Sequence, residues 1–187
     1  MALHRVLVPL ADGFEEIEAV TIIDTLRRAG IYVVAAGLTR EKVYGSHGIA
    51  FVADTLLETL EGGSFDAIVL PGGMPGSQHL RENKILQRRI RAQHESGGLI
   101  AAICAAPMAL ASAGVLDGIP ATCYPGMEKE LPKALFRDQS VVESGQVITG
   151  QGVGCALEFS LALVRRLCGD ECAETLGAKM LFKQASG

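Results

Sequence analysis

Short apolar runs at 6–10, 32–38, 67–70, 99–103 and 147–149 alternate along the chain with helical patterning at 15–29, 85–96, 105–113, 155–167 and 171–180. Strands buried on both faces read as unbroken apolar runs, and parallel neighbours need a crossover between them. The alternation therefore predicts an α/β chain with a mostly parallel central sheet flanked by helices. Gly30, Gly97, Gly114 and Gly169 follow four of the helical stretches, where a left-handed cap suits glycine. Two further short strands are expected at 49–53 and 141–144, the second turning at Gly145 into the strand that follows.

At 187 residues and 49% hydrophobic content, the chain has the material for one core of ordinary size. None of the apolar runs approaches the roughly 20 residues that cross a bilayer. Residues 1–5 lead into a strand and not into a signal peptide, so a soluble, cytoplasmic protein is expected. Cys104, Cys123, Cys155, Cys168 and Cys172 are odd in number and lack CxxC spacing, which fits a reducing compartment. The net charge of −4 gives no electrostatic reason for a nucleic-acid partner. Arg81, Arg88, Arg89 and Arg91 read as the solvated face of a helix that also carries Glu82 and Glu95. His4, His47, His79 and His94 are scattered without ligand spacing, and no metal is expected.

Sites in open sheets of this kind gather outside the carboxyl ends of the strands. Three unusual stretches fall there: Ala11-Asp12-Gly13-Phe14-Glu15-Glu16, Pro71-Gly72-Gly73-Met74-Pro75-Gly76, and Cys104 itself. Cys104 stands where an apolar strand meets an alanine-rich helical stretch, whose unpaired N–H groups would favour a thiolate and lower its pKa. A small buried hydrophobe is the other reading. Glu15 and Glu16 suit the positive end of the first helix dipole. Glu18 shares a face with Ile22 and Ala29, beside a stripe of Ile17, Val20, Ile23 and Leu26, which predicts a partly buried carboxyl with a raised pKa. Such an acid, still protonated, could donate to a thiolate. Gly72-Gly73 reads either as a tight turn or as a source of exposed N–H groups. In the second case the Gly73 and Ala105 amides would form an oxyanion hole for a carbonyl attacked by Cys104. Gly150-Gln151-Gly152-Val153-Gly154 lacks GxGxxG spacing and reads as a strand-to-helix turn.

Glu15-Glu16-Ile17-Glu18, Leu70-Pro71-Gly72-Gly73, Ala101-Ala102-Ile103-Cys104-Ala105-Ala106-Pro107 and the late Gly150–Gly154 turn with Glu158-Phe159, in that order, resemble the ThiJ/PfpI superfamily. The branch most similar is that of the parkinsonism-associated protein deglycase and its YajL-like bacterial relatives. The resemblance runs from about Arg5 to Met180 and implies one flavodoxin-like domain over 1–187. It also implies Cys104 as an oxidation-sensitive nucleophile, Glu18 as the acid touching it, Gly73 and Ala105 as backbone oxyanion donors, and no cofactor. Arg28 corresponds to an arginine near the family's homodimer interface. The implied activity is cofactor-independent detoxification of 2-oxoaldehydes such as methylglyoxal, or deglycation of glyoxal adducts on protein side chains. The alternative is an oxidative-stress sensor or redox-regulated chaperone built on Cys104. The chain departs from the pattern at Tyr124, where human-type relatives carry histidine; a phenol is no base near pH 7 unless its pKa falls far below about 10. Ala105 after the nucleophile, and no His/Glu pair after Tyr124, set aside protease and amidotransferase activities.

Overall fold

Strand β1 (Arg5–Leu10) leads into helix α1 (Glu16–Arg28), strand β2 (Tyr32–Gly37), the short strands β3 (Lys42–Tyr44), β4 (Ala50–Val52) and β5 (Thr55–Leu56), and strand β6 (Ala67–Leu70). Then come α2 (Gly76–Glu82), α3 (Lys84–Glu95), β7 (Leu99–Ile103), α4 (Pro107–Ser112) and the two-residue strands β8 (Pro120–Ala121) and β9 (Leu135–Phe136). The last elements are β10 (Val141–Ser144), β11 (Val147–Gly150), α5 (Ala156–Cys168) and α6 (Asp170–Lys179). The computed structural model describes residues 4–60 and 63–183. The outermost residues of the expected 1–187 domain, including the expected lead-in at 1–3, lie outside the described residues.

Seven strands form the main sheet in the order β10-β11-β7-β6-β1-β2-β5. All neighbours are parallel except the edge pair β10 and β11. Successive side chains along a strand point to opposite faces, and β1 divides accordingly. Val6, Val8 and Leu10 join a buried cluster with α1, α5 and α6. Leu7 joins a second cluster with α2, α3 and α4. The expected parallel sheet with helices on both faces is thus present, and its carboxyl edge carries the loops after β1, β6 and β7.

Several expectations need correction. The helical stretch expected from Ala105 begins at Pro107, and 104–106 form a turn. Proline lacks an N–H and has its φ preset, so it suits the first helical position and fixes the start there. Helix α2 had no apolar period to announce it; its buried residues are Gly76, Ser77 and Leu80. The strand expected over 49–53 pairs antiparallel with β3 and stands outside the main sheet. Ile17 and Val20, expected in an apolar stripe beside Glu18, are 57% and 48% exposed, whereas Ile23 and Leu26 are buried. The Gly150–Gly154 segment is the strand-to-helix turn expected of it, closing as a short 3-10 turn before α5.

Phe159 of α5 is fully buried, and it and Ile103 at the end of β7 both crowd the Cα of Gly150. Phe159→Ala should therefore cost about 3–5 kcal/mol, read as a lowered urea midpoint at unchanged m-value.

Candidate active site

The loops after β1 and β6 are pinned to each other by their backbones. Glu15 N–H donates to the Gly72 carbonyl at 2.8 Å, and Gly76 N–H to the Gly13 carbonyl at 3.2 Å. At Gly73 φ is +91°, and a Cβ there would lie 2.6 Å from the Gly13 oxygen and closer still to the Glu15 nitrogen. At Gly72 a Cβ would sit 2.6 Å from both the Cys104 Cβ and Glu18 Oε2. Only a residue without a side chain permits that approach. The glycine pair is therefore more than a tight turn.

Cys104 follows β7 with φ at +64°, a left-handed conformation rare for a residue with a side chain. Two backbone hydrogen bonds hold it there. Its N–H donates to the Gly150 carbonyl at 2.9 Å, and its carbonyl accepts from Tyr124 N–H at 2.8 Å. The thiol, half-buried, faces the Glu18 carboxyl and the N–H groups of Gly73 and Ala105. Cys104, Glu18, Gly73 and Ala105 are thus brought together as the sequence suggested. Both amides address the sulfur itself.

Glu18 is completely buried. Its Oε2 accepts from Gly72 N–H at 2.8 Å. Its Oε1 has no hydrogen-bond partner, and the Cys104 thiol adjoins the carboxyl. Burial pushes the carboxyl up to about 7, and the Glu15 charge adds to this, against the Gly72 amide and the thiol. The expected rise is present. The thiol goes the other way from expectation. Burial first, then the charge and hydrogen bond of Glu18, push Cys104 up to about 12, against the Ala105 and Gly73 amides. The six-residue α4 begins too late to offset that burial. Two adjacent buried acids accept one negative charge far more readily than two. Once Glu18 has ionised, the thiol holds its proton.

The first-helix carboxylates do more than face a dipole. Glu15 caps α1, accepting from Ile17 N–H. Glu16 reaches across to the turn before β4, where its Oε1 accepts from His47 N–H at 2.7 Å and its Oε2 lies 2.9 Å from His47 Nδ1. Burial opposes ionisation of Glu16, yet the His47 ring and the amides hold its carboxyl down at about 2. Nothing in the spacing of His47 pointed to this clamp. The ligating atoms of Glu15, Glu16 and His47 lie within 4.8 Å of one another, a grouping able to hold a cation. Both Glu16 oxygens are already occupied by the turn. Tyr124, whose amide holds the Cys104 carbonyl, is 51% exposed, with its ring against Gly152. Sequence reasoning also missed Gly72 as the amide that holds Glu18; its place beside Gly73 was the available signal.

The model of the DJ-1/PfpI family matches residues 4–166. The chain belongs to that family. Within it, the crystal structure of DJ-1beta from Drosophila melanogaster superposes with a TM-score of 0.95 at 40% identity, covering 98% of this chain and 100% of that one. Protein DJ-1 homolog B of Arabidopsis thaliana is 40% identical over 98% of this chain, which spans 42% of that relative's length. The protein named Glutathione-independent glyoxalase DJR-1.2 of Caenorhabditis elegans is 36% identical over 91% of each chain.

The position of Glu18 has a consequence for stability. Its carboxyl titrates at about 7 when folded against an ordinary 4.5, so the folded state binds more protons between those values. The contribution of the protonated acid is fully present below 4.5 and lost as the pH rises through about 7. At pH 8, Glu18→Gln should be more stable than the wild type by up to about 3 kcal/mol in urea unfolding, with the gain vanishing at pH 4.

Proposed function

We propose that the protein is a cofactor-independent enzyme that detoxifies 2-oxoaldehydes, converting methylglyoxal to a hydroxy acid or releasing early glyoxal adducts from protein side chains. The observation that carries this reading is an unpartnered buried carboxylate oxygen beside a thiol that two backbone amides also address. The name of the nematode relative supports it.

In this reading the resting pair above pH 7 is a Glu18 carboxylate and a neutral Cys104 thiol. As the sulfur attacks the aldehyde carbon, its proton passes to Glu18, and the Gly73 and Ala105 amides transfer from the sulfur to the new oxyanion. That oxyanion takes a proton to give the hemithioacetal. Glu18 then moves a proton from the former aldehyde carbon to the neighbouring one while the hydroxyl proton passes to the neighbouring carbonyl oxygen, which yields a thioester. Water hydrolyses the thioester to the hydroxy acid and returns the thiol. With a glycated amine or thiol as substrate, the carbon bearing the hydroxyl first releases the side chain as free amine or thiol, its hydroxyl becoming the carbonyl, and the aldehyde so freed enters the same sequence. Tyr124 takes no part as a base, and no step needs the histidine it replaces.

Deletion of either partner should abolish the reaction. Methylglyoxal turnover by Cys104→Ser and by Glu18→Gln should fall by about 10²–10⁴ or more. In the wild type, kcat/KM should rise as Glu18 ionises and level off above pH 7, and that rise should be absent from Glu18→Gln. Unchanged rates in either variant would refute the assigned roles.

The same contact favours a second reading, an oxidative-stress sensor or redox-regulated chaperone with little turnover. A protonated Glu18 is placed to hydrogen-bond a sulfinate formed at Cys104. Mild peroxide followed by intact mass, with client binding and glyoxal turnover measured on the same sample, separates the two. A cytoplasmic setting suits both; among the described residues no helix is long and apolar enough to cross a membrane.

A homodimer belongs to this proposal as well. Ile17 and Val20 on α1 are exposed, as are Ile49 and Val52 on the β3–β4 hairpin that Glu16 clamps to that helix. Arg28, also exposed, pairs with Asp24 at 2.6 Å and needs no partner chain for its charge. Val20→Asp should shift a dimer to monomer in sedimentation velocity while leaving the far-UV spectrum unchanged.

A further inference from the structure

A cavity of ≈ 750 Å³ opens at the other end of the sheet from Cys104, beside the residues that precede β1 and β2. His4, Arg28, Ile31, Cys168, Cys172 and Lys179 are among its lining. Helix α5 begins next to the turn after β11 and its 13 residues carry the chain about 20 Å away, so Cys168 at its end is remote from the nucleophile. Gly169, at φ +90°, ends α5 and starts α6 without a spacer. This corner brings Cys172, in the first turn of α6, back beside Cys168 at the same cavity. Both are free and half-buried, and both face the cavity.

We propose that Cys168 and Cys172 are a redox-active dithiol that closes to a disulfide when a low-molecular-weight disulfide enters this cavity. Four positions apart across a single helix corner and lining one cavity, the two thiols can be brought to the S–S length of about 2.05 Å by side-chain rotation and a small shift at the corner. The other cysteines lack this arrangement. Cys155 is buried, its Sγ 3.1 Å from the Ser140 and Gly152 carbonyls, and Cys104 is surrounded by Glu18 and two amides. Lys179 and the Asp24-paired Arg28 are the basic side chains of the lining and Glu171 is its carboxylate, so the cavity does not repel a disulfide that carries carboxylates.

One of the two thiols attacks as the thiolate, forming a mixed disulfide and expelling one thiol of the oxidant. The other then attacks that sulfur and expels the second. The pair loses two electrons and two protons, and the oxidant leaves as two thiols.

The test uses the full-length chain in a Cys104→Ser background, incubated with oxidised glutathione, then alkylated and examined by intact mass and peptide mapping. The expected product has lost two hydrogens, links the Cys168 and Cys172 peptides, and reverts with dithiothreitol. Cys168→Ser and Cys172→Ser in the same background should each form no internal disulfide, and the variant that keeps the attacking thiol should stop at a mixed disulfide on it. A glutathione adduct that persists with both cysteines present would overturn the proposal, as would full alkylation of both thiols after incubation. Circular dichroism of each variant identifies any that has unfolded, and the parent background alone supports or refutes the proposal if a serine variant is lost.

Discussion

Glu18 is a carboxyl buried without a counter-charge, and the carboxyl edge of the sheet is arranged around it. One oxygen is satisfied by the Gly72 amide, the other has no hydrogen-bond partner, and the Cys104 thiol lies against the carboxyl. An uncompensated buried carboxylate is costly, and the usual outcome is a shift toward the protonated form. Here the shift places the carboxyl at about 7, where it can hold or release a proton under ordinary conditions. The same burial raises the thiol, so a single negative charge is shared between sulfur and carboxyl and its position depends on what occupies the pocket. The pair has the properties of a proton relay more than those of a permanently activated thiolate.

That arrangement depends on backbone packing around it. A parallel sheet collects its loops at one edge, and here the loop after β1 leaves no room for a side chain at Gly73, while Cys104, Ile103 and Glu18 leave none at Gly72. Cys104 is held in a left-handed conformation that costs of order 1–3 kcal/mol and persists only where neighbours enforce it. The enforcing groups are the Gly150 carbonyl of β11 and the Tyr124 amide. The alanines of β7 and its following turn keep that region narrow, and Ala105 presents an amide to the sulfur without a side chain that would cover it.

Much of this was legible in the chain. Apolar runs such as Leu99–Ile103 announce strands buried on both faces, since only a covered parallel sheet accepts them, and the strand order then directs attention to the residues just beyond. Cys104, Glu18, Gly73 and Ala105 emerged from that placement and from the order of their motifs. Other features left no trace. Helix α2 has no hydrophobic period, and His47 shows no spacing that would connect it to Glu16, 31 positions earlier. The exposure of Ile17 and Val20 was likewise hidden, because periodicity places residues on a face without saying whether anything covers it.

Sequence alone determined the α/β class, the family, and which residues meet at the carboxyl edge, because hydrophobic period and glycine placement act locally and are written in residue order. Tertiary structure alone decided where the protons sit. A pKa depends on how deeply a group is buried and on which charges and amides reach it from distant parts of the chain. Glu18 and Cys104 are 86 positions apart, and only folding shows that burial raises both at once.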